Sequence, residues 1–406
     1  MTDAKTIIDP VFGFIRIPNG LLLDIVKHPA LYRLSRIRQL GGASMVFPGA
    51  NHTRFQHSLG AFHLMSMAIM KLQRKGNFIF DSEAEAVQIA ILLHDVGHGP
   101  FSHVLEHTLI NGVDHEEISL MVMEKINEEM RGQLSLAIKI FKDEYPKHFL
   151  HQLISSQLDM DRLDYLRRDS FFTGVTEGNI GSARIIDMLD VKDDRLVVER
   201  KGIYSIENYL VARRLMYWQV YLHKTGVSAE HVLINALSRA KDLARGGKEL
   251  WCSPALHFFL YQDVDRDMFM NHPECLRNYL ALDDNDIMSA LKVWQDCDDK
   301  ILSMLSADFI NRRIFKVEIS DEPFEEEYLN GIVKGIAEKY DVCEDDARKY
   351  FISDLTIGKD MYSIDEDHIE MLLNDGTTCD VSELSDMLNI STLSKKVRKH
   401  YFCYQR

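Results

Sequence analysis

The chain has 406 residues, 46% hydrophobic and 27% charged, with a formal net charge of −15. That is an ordinary globular composition, long enough for two or three domain-sized units or for one large core with an appended lobe. The acidic balance argues against a nucleic-acid binder held by a broad basic surface, though not against an anionic substrate whose local field is set by a metal ion and a few arginines.

The first segment, MTDAKTIIDPVF, lacks the basic stretch and apolar run of a signal peptide, and no apolar run reaches the roughly 18–20 residues of a membrane span. In chain order, TRFQHSLGAFHLMSMAIMKLQRKG predicts a helix: His57, Ala61, Leu64, Ala68 and Leu72 recur at i, i+3/i+4, the last turn is basic and Gly76 stops it. DSEAEAVQIAILLHDVG predicts a second helix, opened by a capping box of Ser82 with Glu85 and stopped at Gly97. It is apolar nearly all round and therefore buried. HFLHQLISSQLDMDRLDYLRRD predicts a third, with Leu150, Ile154, Leu158, Asp161 and Tyr165 on one face. RLVVERKGIYSI reads as a small hairpin turning at Lys201–Gly202, and IENYLVARRLMYWQVYLHKTG as a fourth helix, rich in aromatics. After about residue 270 the acidic patches DDNDI, DEPFEEE and CEDDARK change the character of the chain. RIFKVEI alternates as a strand near residue 313, and the basic tail SKKVRKHYFCYQR reads as a solvated terminal helix or an oligomer contact. All six cysteines lie after residue 250, none in CxxC spacing, which fits a reduced, cytoplasmic protein without a zinc knuckle or redox pair. The expected fold class is mostly α: a helical core over residues 1–270 with a few short β-hairpins, and a C-terminal mixed, mainly helical lobe over residues 271–406.

Residues 94–115 hold five histidines, His94, His98, His103, His107 and His115, where the chain average of 17 in 406 gives about one. His94 and Asp95 follow the apolar AILL and are expected to be buried. A buried aspartate needs a cation or several donors. Adjacent side chains, about 100° apart around a helix, converge only on something set between them, and a metal ion is such an object. His57 and Asp161, each a lone polar residue on an apolar helix face, are the candidates for the remaining ligands. A single such histidine is ordinarily a satisfied core residue; four exceptions in one chain point to a shared site. Two imidazoles and two carboxylates suit one divalent ion with open positions, Mn, Fe, Mg, Ni or Zn, able to acidify a water.

The series H…HD…D is the signature of HD-domain phosphohydrolases, and the match extends well beyond it. QLGGASMVFPGANHTRFQHSLG, LLHDVGHGPFSH, DHEEIS and QLDMDRLDYLRRD resemble, in order, motifs of the deoxynucleoside triphosphate triphosphohydrolases of the dGTPase and SAM-HD type. KGIYSIENYLVARRLMYWQVYLHK resembles the helix that follows them, so the resemblance covers roughly residues 5–245. It implies an HD-domain helical core with His57, His94, Asp95 and Asp161 as metal ligands. It implies that His115, and His103 with Glu106, lie near the scissile α-phosphate; Glu106 stands where some members have aspartate. His98 matches a phosphate contact. Arg54, Arg162 and Tyr165 match groups around the triphosphate, with lysine replacing Arg162 in some members. Gln39, Leu40, Asp169, Tyr217 and Tyr221 match positions around the sugar, with histidine replacing Tyr217 in some, and Arg213 matches a further triphosphate or base contact.

The activity so implied is hydrolysis of deoxynucleoside triphosphates to deoxynucleoside and inorganic triphosphate at one divalent ion, with a further Mg accompanying the nucleotide. Arginines would neutralise the triphosphate. His103 or His115, with an ordinary imidazole pKa of about 6.5, is suited to donate a proton, and the pattern does not choose between them. Mammalian members carry an activating nucleotide site at a subunit interface. Lys27, Ser35 and Ile8 stand where that site has an aspartate, an arginine and an asparagine, so guanine-nucleotide activation of that kind is not expected. A homo-oligomer, dimer or tetramer, is expected. Rival readings are an HD-type phosphodiesterase or 3′ exonuclease, disfavoured by the charge; another nucleotide phosphohydrolase, of the cyclic-dinucleotide or alarmone kind, whose GYP extension and histidine spacing are not seen; and a non-catalytic HD module, which ordinarily loses a ligand.

Overall fold

The computed structural model describes residues 4–101, 104, 108–110, 112–359, 368–385 and 397–406; His103, Glu106 and His107 lie outside them. An antiparallel hairpin of β1 (Ala4–Asp9) and β2 (Gly13–Pro18) begins the described chain. Asp9 Oδ1 fixes its turn by accepting the N–H groups of Val11 and Phe12, each at 2.9 Å. After α1 (Leu21–Lys27) and α2 (Pro29–Arg33) comes α3 (Arg54–Arg74), whose first turn is closed by a reciprocal capping box of Thr53 and Gln56.

α4 (Asp81–Leu93) is the expected buried helix, but its box is set two residues earlier than the sequence pattern suggests. Glu83 accepts the Phe80 N–H at 2.8 Å, and Ser82 lies inside the first turn. Glu83 is chosen over Glu85 by its tertiary partners, the Tyr145 hydroxyl at 2.6 Å and the Lys147 ammonium at 2.7 Å. Next come α5 (His115–Glu129), capped by Asp114, and α6 (Ser135–Phe141).

The helix expected over residues 148–169 is two helices. α7 (His148–Gln152) stops, residues 153–159 turn, and α8 (Met160–Thr173) begins. Asp159 is the cause: its carboxylate accepts the Ser156 N–H at 2.9 Å and the Arg162 N–H at 2.6 Å. This local alternative to helix prevails over a continuous apolar face. Leu150, Ile154 and Leu158 therefore belong to α7 and the turn, and Asp161 and Tyr165 to α8.

α9 (Ser182–Met188) leads into β3 (Leu189–Lys192) and β4 (Arg195–Glu199), and the hairpin turns at Asp193–Asp194 rather than Lys201–Gly202. Both aspartates take positive φ, 50° and 63°, a region aspartate enters more readily than most residues. The fourth expected helix is interrupted as well. α10 (Ile203–Met216) and α11 (Lys224–Arg245) are separated by one π-helical turn, Tyr217–Tyr221, a distortion frequent at functional sites.

The remainder runs through α12 (Pro254–Tyr261), α13 (Arg266–Asn271), α14 (Pro273–Ala281), α15 (Asp284–Trp294), α16 (Lys300–Ile310), β5 (Lys316–Ser320), α17 (Glu326–Tyr340), α18 (Glu344–Tyr350), β6 (Ile352–Lys359), β7 (Glu370–Leu372), β8 (Thr378–Asp380) and β9 (Val397–Tyr404). The tail read as a terminal helix is β9, the middle strand of the antiparallel sheet β5-β9-β6. Its Tyr401, Phe402, Cys403 and Tyr404 are buried in succession, as suits an aromatic-rich strand covered on both faces. β7 pairs in parallel with β4 and joins β8 to the β3–β4 hairpin. The fold is mostly α with small sheets, and one cluster of buried apolar residues runs from Ile15 to Tyr404. Among the described residues, no helix is long and apolar enough to cross a membrane.

Candidate active site

α3, the end of α4 and the start of α8 meet at one point. His57 stands one turn into α3, His94 ends α4, Asp95 follows in the turn, and Asp161 is the second residue of α8. His94 and Asp95 are thus at the exit of the helix, not within it. His57 Nε2 lies 3.2 Å from His94 Nε2 and 3.0 Å from Asp161 Oδ1, and His94 Nε2 lies 3.5 Å from that same oxygen. These three residues bring their ligand atoms close enough together to hold a metal ion. Asp95 faces the same space from further off, Oδ2 3.7 Å from His57 Nε2 and Oδ1 3.5 Å from His94 Nε2. It is drawn away by Arg54 Nη1, 2.5 Å from Oδ2, and by His98 Nδ1, 3.2 Å from Oδ1.

The donor set fits a divalent ion. Ligand atoms bound at ~2.1 Å around one ion are ~3.0–3.4 Å apart, close to the 3.0, 3.2 and 3.5 Å found among His57, His94 and Asp161. Both imidazoles turn Nδ1 away: that of His57 donates to Asp164 at 2.7 Å, and that of His94 to the Ile91 carbonyl at 2.7 Å. The two Nε2 lone pairs are thereby aimed at each other across a carboxylate, an arrangement that wants a cation between them. Burial would lower His57, but its hydrogen bonds to Asp161 and Asp164 prevail and raise its pKa to about 10. His94 rises against burial through Asp95 and Asp161, and Asp161 falls against burial through the two histidines.

Behind the ligands is a buried polar layer that the sequence reading missed. Asp164 accepts from Arg168 Nε at 2.9 Å and Nη2 at 3.0 Å, and Arg168 Nη1 reaches Asp9 at 2.7 Å. Gly60 of α3 makes room for it: a Cβ there would lie 1.9 Å from Asp164 Oδ1 and 2.2 Å from Arg168 Nη2. Ser119 of α5 ties the turn after α4 by donating to the His94 carbonyl at 2.7 Å and accepting the Gly97 N–H at 2.9 Å. Asp164 and Arg168 do carry a signal, charged residues at i and i+4 on a face that α8 buries; Ser119 carries none.

The group opens into a cavity of about 570 Å³. Gln39, Leu40, Arg54, Asp95, His98, His115, Asp161, Tyr165, Asp169, Tyr217 and Tyr221 all line it. Burial and the Arg54 guanidinium push His98 down to about 3, so its ring is neutral, with the His115 ring 4.0 Å away. At the other end, Asp169 accepts the Tyr221 hydroxyl at 2.8 Å, and burial and Asp169 hold that phenol far above its usual range. Tyr217 and Tyr165 meet the Tyr221 ring edge-on at 5.4 and 5.9 Å. Arg162 and Arg213 are not on the cavity lining. Arg162 Nε donates to the Ser156 carbonyl at 2.6 Å, and Arg213 Nη1 to Gln157 Oε1 at 2.7 Å. A larger cavity, about 920 Å³, with Lys224, Arg312, Arg313 and Lys316 on its wall, contains none of the predicted residues.

The HD domain family matches residues 54–169, and the HD associated region matches residues 180–248. A phosphohydrolase from Bacteroides thetaiotaomicron has a solved structure that superposes with a TM-score of 0.97, at 66% identity over 100% of both chains. The uncharacterized protein YwfO of Bacillus subtilis is 34% identical over 323 residues, 78% of this chain and 72% of that protein. Human deoxynucleoside triphosphate triphosphohydrolase SAMHD1 is 30% identical over 300 residues, 62% of this chain and 48% of that protein, so the match spans about half its length. The ordered motifs, the fold they build and the histidine–aspartate group they bring together agree with these matches: the chain belongs to the HD-domain phosphohydrolase family and is a hydrolase.

Proposed function

We propose that the protein hydrolyses deoxynucleoside triphosphates to deoxynucleoside and inorganic triphosphate. The observation that carries this reading is one cavity joining the metal-ligating group to the Asp169–Tyr221 pair. Asp161 and Asp169 are both on α8, eight residues and so about 12 Å apart along its axis, a span suited to a nucleoside α-phosphate with side chains reaching in from both ends. Similarity to SAMHD1 favours the same substrate class.

His57, His94 and Asp161, with Asp95 as the fourth ligand, would hold one divalent ion, Mn, Fe, Mg, Ni or Zn. Such an ion supplies Lewis-acid polarisation and a lowered water pKa. Arg54 would exchange part of its contact with Asp95 for a charge-assisted bond to phosphate. His98 would stand beside it as a further phosphate contact, and Tyr165, flanked by Arg162 and Arg213, would face the distal phosphates. Water adds at the α-phosphorus, the bond from phosphorus to the 5′-oxygen breaks, and His115 or His103 gives that oxygen its proton. Gln39, Leu40, Asp169, Tyr217 and Tyr221 would enclose the sugar. Leu40 and Tyr221 leave a 2′-hydroxyl crowded and unpaired, at a cost of about 1–3 kcal/mol, so ribonucleotides should be the poorer substrates.

Incubation with the four deoxynucleoside and four ribonucleoside triphosphates, with products separated by anion exchange, tests the reading. Deoxynucleoside and triphosphate are the expected products; orthophosphate or pyrophosphate as the first inorganic product would overturn it. The working form is a homo-oligomer: Ile8 and Phe14, cross-strand neighbours on the β1–β2 hairpin, are 77% and 68% exposed, an apolar pair suited to cover by a second copy.

A further inference from the structure

His52 is not among the residues expected to touch a ligand, yet it bonds to two residues of the cavity lining, Asp169 and Gln39. Its ring is fully buried. Nε2 donates to Asp169 Oδ1 at 2.6 Å, and the other oxygen of that carboxylate accepts the Tyr221 hydroxyl at 2.8 Å. The His52 backbone carbonyl accepts the N–H of Gln39, another residue of the lining, at 3.0 Å. One residue thus fixes Asp169 with its side chain and Gln39 with its main chain.

The ring is itself clamped. It stacks on Phe172 at 4.5 Å between centroids and 15° between planes. Its loop can approach α8 because residue 49 is glycine: a Cβ at Gly49 would meet the Phe172 carbonyl oxygen at 2.6 Å. Nδ1 is buried without a partner among the described residues, so the ring accepts the cost of an unpaired nitrogen in order to place Nε2. A histidine kept only for packing could be replaced by an apolar ring at that position; the hydrogen bond to a buried carboxylate is what an apolar ring cannot supply.

We propose that His52 is a positioning residue for sugar selection. By holding the Asp169 carboxylate, and through it the Tyr221 hydroxyl, at a fixed distance from Gln39 and Leu40, it sets the width of the slot that accepts a 2′-deoxyribose and turns away a ribose. The assignment rests on the deoxynucleotide reading of the cavity.

The test is the ratio of kcat/KM for a deoxynucleoside triphosphate to that for its ribonucleotide, measured with the metal-loaded full chain. His52→Phe keeps the stack on Phe172 and removes the donor. Its ratio should fall about tenfold, a hydrogen bond to a charged group being at stake, with KM for the deoxynucleotide rising more than kcat falls and metal content unchanged. His52→Gln, whose amide can present a donor at the reach of Nε2, should restore the ratio to within about threefold of wild type, which a merely structural role would not require. If His52→Phe fails to fold, His52→Asn makes the same test, its shorter amide falling short of Asp169. A wild-type ratio in a folded Phe or Asn variant would overturn the role of His52 while leaving the proposed activity standing. Absence of deoxynucleotide turnover in the wild type would overturn that activity, and this assignment with it.

Discussion

At the scale of single residues, the site is governed by where each imidazole proton can go. With no ion bound, His57 keeps a second proton up to a pKa of about 10. A folded-state pKa above the ordinary value of about 6.5 stabilises the fold fully below that value, and the contribution is lost as the pH rises through about 10. A metal ion needs the same Nε2 lone pair, so loading must release that proton, and affinity should rise by up to about tenfold per pH unit between roughly 6.5 and 10. Calorimetric titration of the chelator-treated protein over that range checks it; an affinity indifferent to pH would contradict it. Asp161→Ala removes the carboxylate shared by both histidines and should cut metal content and turnover by more than about a hundredfold, read by elemental analysis and a steady-state assay. The candidate metal ligands were legible in the sequence because His57 is a polar residue on an apolar helix face and His94 and Asp95 follow a buried apolar run, whereas the continuous helix face on which Asp161 was expected is broken before α8. His52 and Ser119 were not legible, because nothing in their neighbours reveals that their partners lie 117 and 22 residues away.

At the scale of elements, helix existence was legible and helix continuity was not. The apolar periodicity of α3 and α4 is strong enough to be read directly. Between α7 and α8, and between α10 and α11, the same periodicity continues across a break. One break is made by the Asp159 cap and the other by the π turn that carries Tyr217 and Tyr221. Both breaks occur where site residues must be aimed: Asp161 at the head of α8, the tyrosines at the cavity wall. The contact of α3 with α8 depends on Gly60. Gly60→Ala drives a Cβ into the Asp164–Arg168 pair, and breaking a buried ion pair costs about 3–5 kcal/mol. Thermal unfolding should show a loss of that order together with metal loss; an unchanged midpoint would mean the two helices part easily. Ser119→Ala leaves the Gly97 N–H and the His94 carbonyl without that partner. It should cost about 1–3 kcal/mol and weaken metal binding about tenfold to a hundredfold, measured by the same two methods.

At the scale of the whole molecule, the segment after residue 270 is part of the site's frame. The Tyr279 hydroxyl donates to the Gly97 carbonyl at 2.8 Å, and Arg33 links the carbonyls of His98 and Leu282 at 3.0 and 2.7 Å. Asp284 accepts the Phe101 N–H and the Arg38 N–H, each at 3.0 Å, so it holds both Phe101 of the histidine-rich segment and the backbone next to Gln39. Phe101 takes a φ of +53°, a conformation that an aromatic residue keeps only when its surroundings enforce it. Asp284→Ala should therefore lower kcat severalfold while metal content is retained; full activity would show that the segment holds its shape alone. None of this was legible, since acidic composition after residue 270 says only that the surface is charged. The homo-oligomer is checked by light scattering: a species larger than the 46.9 kDa chain is expected, and an active monomer at working concentration would contradict it.

Hydrolysis at the α-phosphorus can be followed atom by atom. In 18O-labelled water, one turnover on a deoxynucleoside triphosphate should place one label in inorganic triphosphate and none in the deoxynucleoside. Label in orthophosphate or pyrophosphate as the first product, with a deoxynucleoside di- or monophosphate left behind, would mean that the cavity holds its substrate in a different register and that the proposed reaction is wrong.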